Sequence, residues 1–276
     1  MLVLGILGYP VSHTKSPAMH NAAARELGLD ATYVPFAVKP EHVGDAVRGV
    51  RALGIHGVNV TVPHKQAVMP FLDDVHAHAR AIGAVNTIVR EGDRLIGHNT
   101  DAPGLVRSLE EAGVALEGSV VTILGAGGAA RAAVVGLAHA GAKAVHVVAR
   151  RQEQARELVD SVAAALPCEA HAHGTDAQTS LFGSTTLLVQ STSATLAGSE
   201  QAEPFAKSLP LAALPGDAVV CDLVYKPLET TVLRDAKARG LRTVDGLGML
   251  LHQGAIAFEL WTGRKAPVEV MRRALG

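Results

Sequence analysis

Cysteine is scarce in this sequence. Only Cys168 and Cys221 occur in 276 residues, without C-x-x-C spacing. That excludes a disulfide framework and suits a reduced, cytoplasmic setting with both thiols free. Charge of one sign is missing as well: 25 Lys and Arg stand against 26 Asp and Glu, for a formal net charge of −1. Basic residues this dispersed lack the footprint of a nucleic-acid binder, so no nucleic-acid partner is expected. No uncharged apolar stretch reaches the roughly 20 residues that a bilayer span needs. The opening "MLVLGILGYP" meets Gly and Pro too early for a secretory leader and reads as a strand, so no membrane partner is expected either. A small-molecule partner is left, for a chain acting as a monomer or homodimer.

Histidine, by contrast, is plentiful, with thirteen copies and "HAH" pairs at His76/His78 and His171/His173. An i, i+2 pair cannot share a helix face. No Cys or carboxylate stands at zinc spacing, so the pairs read as exposed histidines of Ala-rich helices and no metal is expected.

The length allows one large domain or two ordinary ones. Short β-rich runs alternate with Ala/Leu-rich segments from "LVLGILGY" to "GVNVTV", an order that predicts a mostly parallel α/β sheet. Extended runs on either side of Glu91-Gly92-Asp93 predict a hairpin. A second βαβ series starts at "SVVTILGAGGAARAAVVGL", with further strands at "TTLLVQST", "AVVCDLV" and "RTVDG". Residues 197–210 read as a loop holding a short helix, and "GMLLHQGAIAFELWTG" as a helix that Gly263 stops.

Four patterns carry chemistry. "TILGAGGAAR" places Gly125, Ala126, Gly127, Gly128 and Ala129 between a strand and a helix, where backbone N–H groups and the positive helix end suit a pyrophosphate. The next strand ends in Arg150-Arg151, with no acidic residue for ribose hydroxyls, and guanidinium forks suit the 2′-phosphate of NADP. "SHTKSPAMHN" places Thr14 and Lys15 beside Ser16-Pro17, a helix start with Ser16 as its cap. Hydroxyls, a cation and a helix N-terminus there suit a substrate carboxylate. Asp101 in "HNTDAPG" also reads as a helix start, and it pairs with Lys65 if the "GVNVTV" and "RLIGHN" runs end side by side. A lysine next to an aspartate can protonate the alkoxide formed when hydride reduces a ketone.

"GYPVSHTKSPAMHN", "GVNVTVPHK", "GAVNTI", "GHNTDAPG", "GAGGAAR", "DLVYKPLETTVL" and "GLGMLLHQGAIAFELWTG" occur in the order found in shikimate dehydrogenases, and the sequence resembles that family along essentially its whole length. The resemblance implies a two-domain α/β fold: an N-terminal substrate domain with a mostly parallel sheet, residues 1–101 plus 242–276, and a Rossmann-like NADP domain, residues 102–241. The resemblance also implies an active site in the cleft between them. By matching position it implies Lys65 and Asp101 as the catalytic pair and Thr14 and Ser16 on the substrate carboxylate. Asn59, Thr61, Asn86 and Gln253 fall on its ring hydroxyls, and Tyr225 near the carboxylate and nicotinamide. By the same matching it implies Leu223, Gly246 and Met249 at the border of the nicotinamide, Thr192 in the lining of the cofactor site, and Arg150 on the 2′-phosphate. The implied reaction is the reversible NADPH-dependent reduction of 3-dehydroshikimate to shikimate, on the route to chorismate and the aromatic amino acids. The competing expectations are a quinate/shikimate dehydrogenase using NAD and a non-catalytic NADP-binding paralogue. The sequence departs from the family pattern at Thr14 (usually Ser), at Ala149 and Arg151 (usually Asn and Thr around the arginine), and at Gln190-Ser191 (usually Asn-Thr).

Overall fold

The N-terminal half alternates β-branched runs with amphipathic segments, and each becomes an element of one sheet or of its helical cover. The computed structural model describes every residue except His13. In chain order come β1 (Leu2–Gly8), α1 (Ser16–Glu26), β2 (Ala31–Ala37), α2 (Val43–Ala52), β3 (Gly57–Val60) and β4 (Asp74–Val75). Then follow α3 (Ala77–Ile82), β5 (Thr87–Glu91), β6 (Arg94–His98) and α4 (Asp101–Glu111). The strands form one six-stranded sheet in the order β2-β1-β3-β5-β6-β4. β1, β2 and β3 run parallel, whereas β5 is antiparallel to both β3 and β6. The predicted hairpin forms with Glu91 opposite Arg94 across a two-residue loop, and Gly92 takes the positive φ (+61°) that such a loop demands. Pro35 is tolerated in β2 because that strand is an edge. One side of the sheet buries Leu7, Val47, Val50, Val58, Val60 and Ile88. Another cluster joins Leu4, Ile6, Val11 and Tyr33, with Trp261 packed against it.

The second series gives β7 (Val120–Leu124), α5 (Gly128–His139), β8 (Ala144–Val148), α6 (Gln152–Val162), β9 (Glu169–His173) and α7 (Gln178–Phe182). It continues with β10 (Leu187–Gln190), α8 (Ala202–Ser208), β11 (Val219–Asp222), α9 (Thr231–Ala238), β12 (Arg242–Val244) and α10 (Leu247–Thr262). All six strands are parallel, in the order β12-β11-β10-β7-β8-β9. The strand order therefore reverses between β7 and β10, the place where open α/β sheets bind ligands beyond their strand ends. A last helix, α11 (Val268–Leu275), packs on α1. By contact density the chain separates into residues 1–104 with 251–276, and residues 105–250.

One element departs from the sequence expectation. "EAHAH" is the edge strand β9, not part of an Ala-rich helix, and in a strand the i, i+2 spacing does put His171 and His173 on one face. His146 lies in register with His171, and its Nδ1 is 3.1 Å from His173 Nε2. Burial and neighbouring imidazoles hold His146 and His173 below the usual histidine pKa. The other pair does begin a helix, with His76 as the cap of α3. Among the described residues no group of three His, Cys, Asp or Glu is arranged to hold a metal ion, and no helix is long and apolar enough to cross a membrane.

Candidate active site

Lys65 is positioned by what precedes it. β3 stops at Val60, two residues before the Val62-Pro63 step, and proline has no N–H with which to extend a ladder. Thr61 thus falls just outside the strand rather than within it, although its N–H still reaches Leu7 O at 2.9 Å. The chain then turns, with His64 N on Thr61 O at 2.9 Å and Val68 N on His64 O at 3.0 Å. The buried His64 ring is pinned to Val38 O at 2.7 Å, which makes it the structural anchor of the turn. Val85 N holds the carbonyl of Lys65 at 2.7 Å. The side chain leaves this fixed backbone and donates from Nζ to Asp101 Oδ2 at 2.6 Å. An ammonium has three donors, so this pairing leaves two for a ligand.

Asp101 opens α4, but it is not the capping residue. Asn99 Oδ1 accepts from the N–H groups of Asp101 and Ala102, at 3.0 and 3.2 Å, so the aspartate carboxylate is released for other work. Its Oδ1 accepts from Asn86 Nδ2 at 2.9 Å. Asn86 is held in turn by Thr100, whose N–H donates to Oδ1 at 2.7 Å, and Gln253 Oε1 lies 3.5 Å from Asn86 Nδ2. Gly104, in the same "DAPG" turn, is where α4 meets the backbone of Gln253: a Cβ there would come within 2.7 Å of Gln253 N.

At the start of α1 the capping expectation fails. Ser16 is the first helical residue, the preceding position is Lys15, and no side chain caps the helix. The Ser16 hydroxyl is buried and accepts instead from Thr14 Oγ1 at 3.1 Å, and it hydrogen-bonds Tyr33. Lys15 does not join these hydroxyls, because its Nζ donates to Leu275 O at 2.5 Å and ties α1 to the end of α11. Behind Tyr33 lies His20, stacked on it with ring centroids 4.4 Å apart and planes inclined by 10°. Neither His20 ring nitrogen finds a hydrogen-bond partner among the described residues, and burial lowers its pKa to about 3.

In the second unit the glycine turn follows β7 at the point where the strand order reverses. Gly125 has φ +111°, and a Cβ there would meet Ser191 Oγ at 2.8 Å and Thr192 Cγ2 at 2.9 Å, so only glycine fits. At Gly127, by contrast, a Cβ would have open space, and this exposed residue caps the twelve-residue α5. A pyrophosphate fits such a cradle, with approachable backbone and the positive helix end. Arg150 and Arg151 are both exposed beyond the end of β8, and Arg151 precedes α6. Gln190 is fully buried and does not line a ligand wall: its Nε2 is 3.1 Å from Asp222 Oδ1 and 2.9 Å from Thr195 Oγ1, while its Oε1 accepts Thr192 N. Burial raises the Asp222 pKa, and hydrogen bonds from Val224 N, Thr230, Thr195 and Gln190 oppose that shift. This network fixes the segments carrying Thr192 and Leu223. Gly246 packs directly on the Leu223 carbonyl, 2.4 Å from where a Cβ would sit, while Met249 is buried in α10 and Tyr225 is half-buried.

Comparison with known proteins accounts for both halves. Residues 6–88 match the shikimate dehydrogenase substrate binding domain, 108–202 match shikimate / quinate 5-dehydrogenase, and 246–275 match the shikimate 5′-dehydrogenase C-terminal domain. A shikimate dehydrogenase (NADP⁺) of Symbiobacterium thermophilum is 48% identical over 278 residues, covering 99% of this chain and 92% of the relative. The chain belongs to the shikimate dehydrogenase family. A relative of the same description from Desulforamulus reducens is 46% identical, with 99% and 94% covered. The crystal structure of the Thermus thermophilus shikimate 5-dehydrogenase in complex with NADP(H) and shikimate superposes with a TM-score of 0.86. It is 38% identical, with 100% of this chain and 98% of that chain covered.

Within the first unit, this family member brings Lys65, Asp101, Asn86, Asn59 and Gln253 into one hydrogen-bonded assembly or its immediate border, and Thr14 and Ser16 join it through Tyr33. Sequence inspection passed over Tyr33, Thr87, Asn99 and Thr100. The signal for Thr87 and Thr100 was their place beside Asn86 and Asp101. Tyr33 had none beyond being a tyrosine in an apolar strand.

Proposed function

We propose that this protein is an NADP-dependent shikimate dehydrogenase, catalysing the reversible reduction of 3-dehydroshikimate to shikimate. The observation that carries the proposal is the Lys65 Nζ to Asp101 Oδ2 pair at 2.6 Å, with Asn86 holding the other carboxylate oxygen. NADPH, when bound, supplies the hydride. The protein's part is to supply the proton. As the carbonyl carbon accepts hydride, the oxygen gains negative charge, and Lys65 Nζ transfers a proton to it. Asp101 orients the ammonium and compensates its charge. In the oxidative direction the same lysine accepts the hydroxyl proton. Thr14 and Ser16 offer hydroxyls to the substrate carboxylate, and Asn59, Thr61, Asn86 and Gln253 form the ring side of the site. For the cofactor, the turn Gly125–Ala129 suits the pyrophosphate and Arg150 with Arg151 the 2′-phosphate, while Thr192, Leu223, Tyr225, Gly246 and Met249 frame the nicotinamide side. A cytoplasmic location belongs to the same proposal, supported by two free cysteines.

Shikimate-dependent reduction of NADP⁺, followed by NADPH absorbance beside quinate and NAD⁺ controls, is the direct test. No turnover with shikimate, or a strong preference for NAD⁺, overturns the assignment. Replacing Arg150 with alanine is expected to raise KM for NADP⁺ by about 10- to 100-fold, the usual worth of charge-assisted bonds to phosphate, while leaving KM for NAD⁺ unchanged. Equal effects on both cofactors would show that Arg150 does not read the 2′-phosphate. The same comparison with Arg151→Ala divides the task between the two.

A further inference from the structure

The polar groups of the first unit form a chain whose direction is dictated from its ends. Tyr33 Oη donates to Asn59 Oδ1 at 2.7 Å. Asn59 Nδ2 donates to Thr87 Oγ1 at 3.1 Å and to Asn86 O at 3.3 Å. Thr87 Oγ1 donates to Asn86 Oδ1 at 3.1 Å, and Asn86 Nδ2 to Asp101 Oδ1 at 2.9 Å. A carboxylate only accepts and a backbone N–H only donates, so Asp101 and the Thr100 N–H together fix which way the Asn86 amide faces. A backbone carbonyl only accepts, so Asn86 O fixes the Asn59 amide with its nitrogen inward. Asn59 Oδ1 then faces the tyrosine, which must be the donor.

Counting protons gives the consequence. Asn86 Nδ2 spends its two on Thr100 Oγ1 and Asp101 Oδ1, both at 2.9 Å. Asn59 Nδ2 spends its two on Thr87 and Asn86 O. Neither amide has an N–H left for a ligand, and what Asn59 retains is a lone pair on Oδ1. Thr87 sits where the two amides meet, accepting from one and donating to the other or to Thr100 Oγ1 at 3.2 Å. Tyr33 is clamped by the His20 ring and buried, and that burial keeps its phenol protonated.

We propose that Tyr33 and Thr87 are positioning residues that hold Asn59 as a hydrogen-bond acceptor, so that the site selects a substrate ring carrying a donating hydroxyl at that place. This rests on the shikimate dehydrogenase reading and specifies how one ring hydroxyl is recognised. A hydroxyl satisfies the Oδ1 lone pair that Tyr33 leaves open; a ring lacking it leaves that second lone pair of a buried acceptor unmet, and an ether or ketone there places acceptor against acceptor.

The test compares Tyr33→Phe, Thr87→Val and Thr87→Ser with the unsubstituted enzyme. kcat/KM is measured for shikimate and for two analogues, each lacking one of the ring hydroxyls that is not oxidised; KM for NADP⁺ and thermal unfolding are measured alongside. Tyr33→Phe and Thr87→Val are expected to lower kcat/KM for shikimate about tenfold, mostly through KM, consistent with losing one or two buried hydrogen bonds. The preference for shikimate over one analogue should collapse, while that over the other and KM for NADP⁺ stay unchanged. Thr87→Ser should restore the preference. An unchanged preference in Tyr33→Phe, a parallel loss over both analogues, or no rescue by serine would each overturn the proposal. Failure of the underlying reading shows separately, as absent shikimate-dependent turnover in the unsubstituted enzyme, and overturns both.

Discussion

Lys65→Ala lowers kcat for shikimate oxidation by about 10²- to 10⁴-fold, the range that a positioned general acid or base contributes. KM for shikimate and for NADP⁺ should move far less, because the anchors of the turn, the His64 ring on Val38 O and Val85 N on Lys65 O, do not involve the lysine side chain. Lys65→Arg provides the sharper arm. It keeps a cation next to Asp101, yet a guanidinium does not give up its proton near neutral pH, so activity should stay low. Steady-state kinetics with an unfolding control decide the matter: a kcat for Lys65→Ala within about threefold of the parent, or restoration by arginine, would remove proton transfer from Lys65 and leave it an electrostatic role only.

Acid weakens the first unit through His20. Its ring lies fully buried against Tyr33, Phe258 and Trp261 and has no polar partner among the described residues, so the folded state excludes the imidazolium and its pKa falls from 6.5 to about 3. Between those values the unfolded chain binds the extra proton. The contribution is therefore complete above pH 6.5 and is lost progressively as pH falls toward 3. Each pH unit in that window costs about 1.4 kcal/mol, so going from pH 7 to 5 removes about 2 kcal/mol. Trp261 is the only tryptophan, and its ring centroid is 5.4 Å from that of His20, so its fluorescence reports unfolding of this unit. Urea titrations at the two pH values should show the parent losing about 2 kcal/mol more than His20→Leu, a comparison in which other titrating groups cancel. Equal losses in both proteins would mean that His20 is not the acid-sensitive group.

Much of the architecture is legible in the sequence alone, because it depends on neighbours a few residues apart. The period-two runs became strands, the Gly92 turn became a hairpin, and "GAGGAA" became a strand–turn–helix, each set by local φ/ψ preference and by which face must be buried. Local pattern misled where two local solutions compete. "EAHAH" has helix-compatible alanines, yet it forms the edge strand beside β8, because pairing with that strand satisfies its backbone. Ser16-Pro17 looked like a capped helix start, but the hydroxyl found a tertiary partner instead.

The sequence by itself determined the chemical inventory of this protein: a lysine, an aspartate, two asparagines, hydroxyls, a glycine turn and a pair of arginines, each on an element of predictable type. Only the tertiary structure decided how the inventory is wired. Tyr33 to Asn59, Asn59 to Thr87 and Lys65 to Asp101 span 26, 28 and 36 residues of chain. No side-chain preference reaches that far. Those bonds exist because the β2-β1-β3-β5-β6 strand order carries their donors and acceptors to one end of one sheet, where burial makes an unpaired polar group costly and so leaves each amide a single orientation.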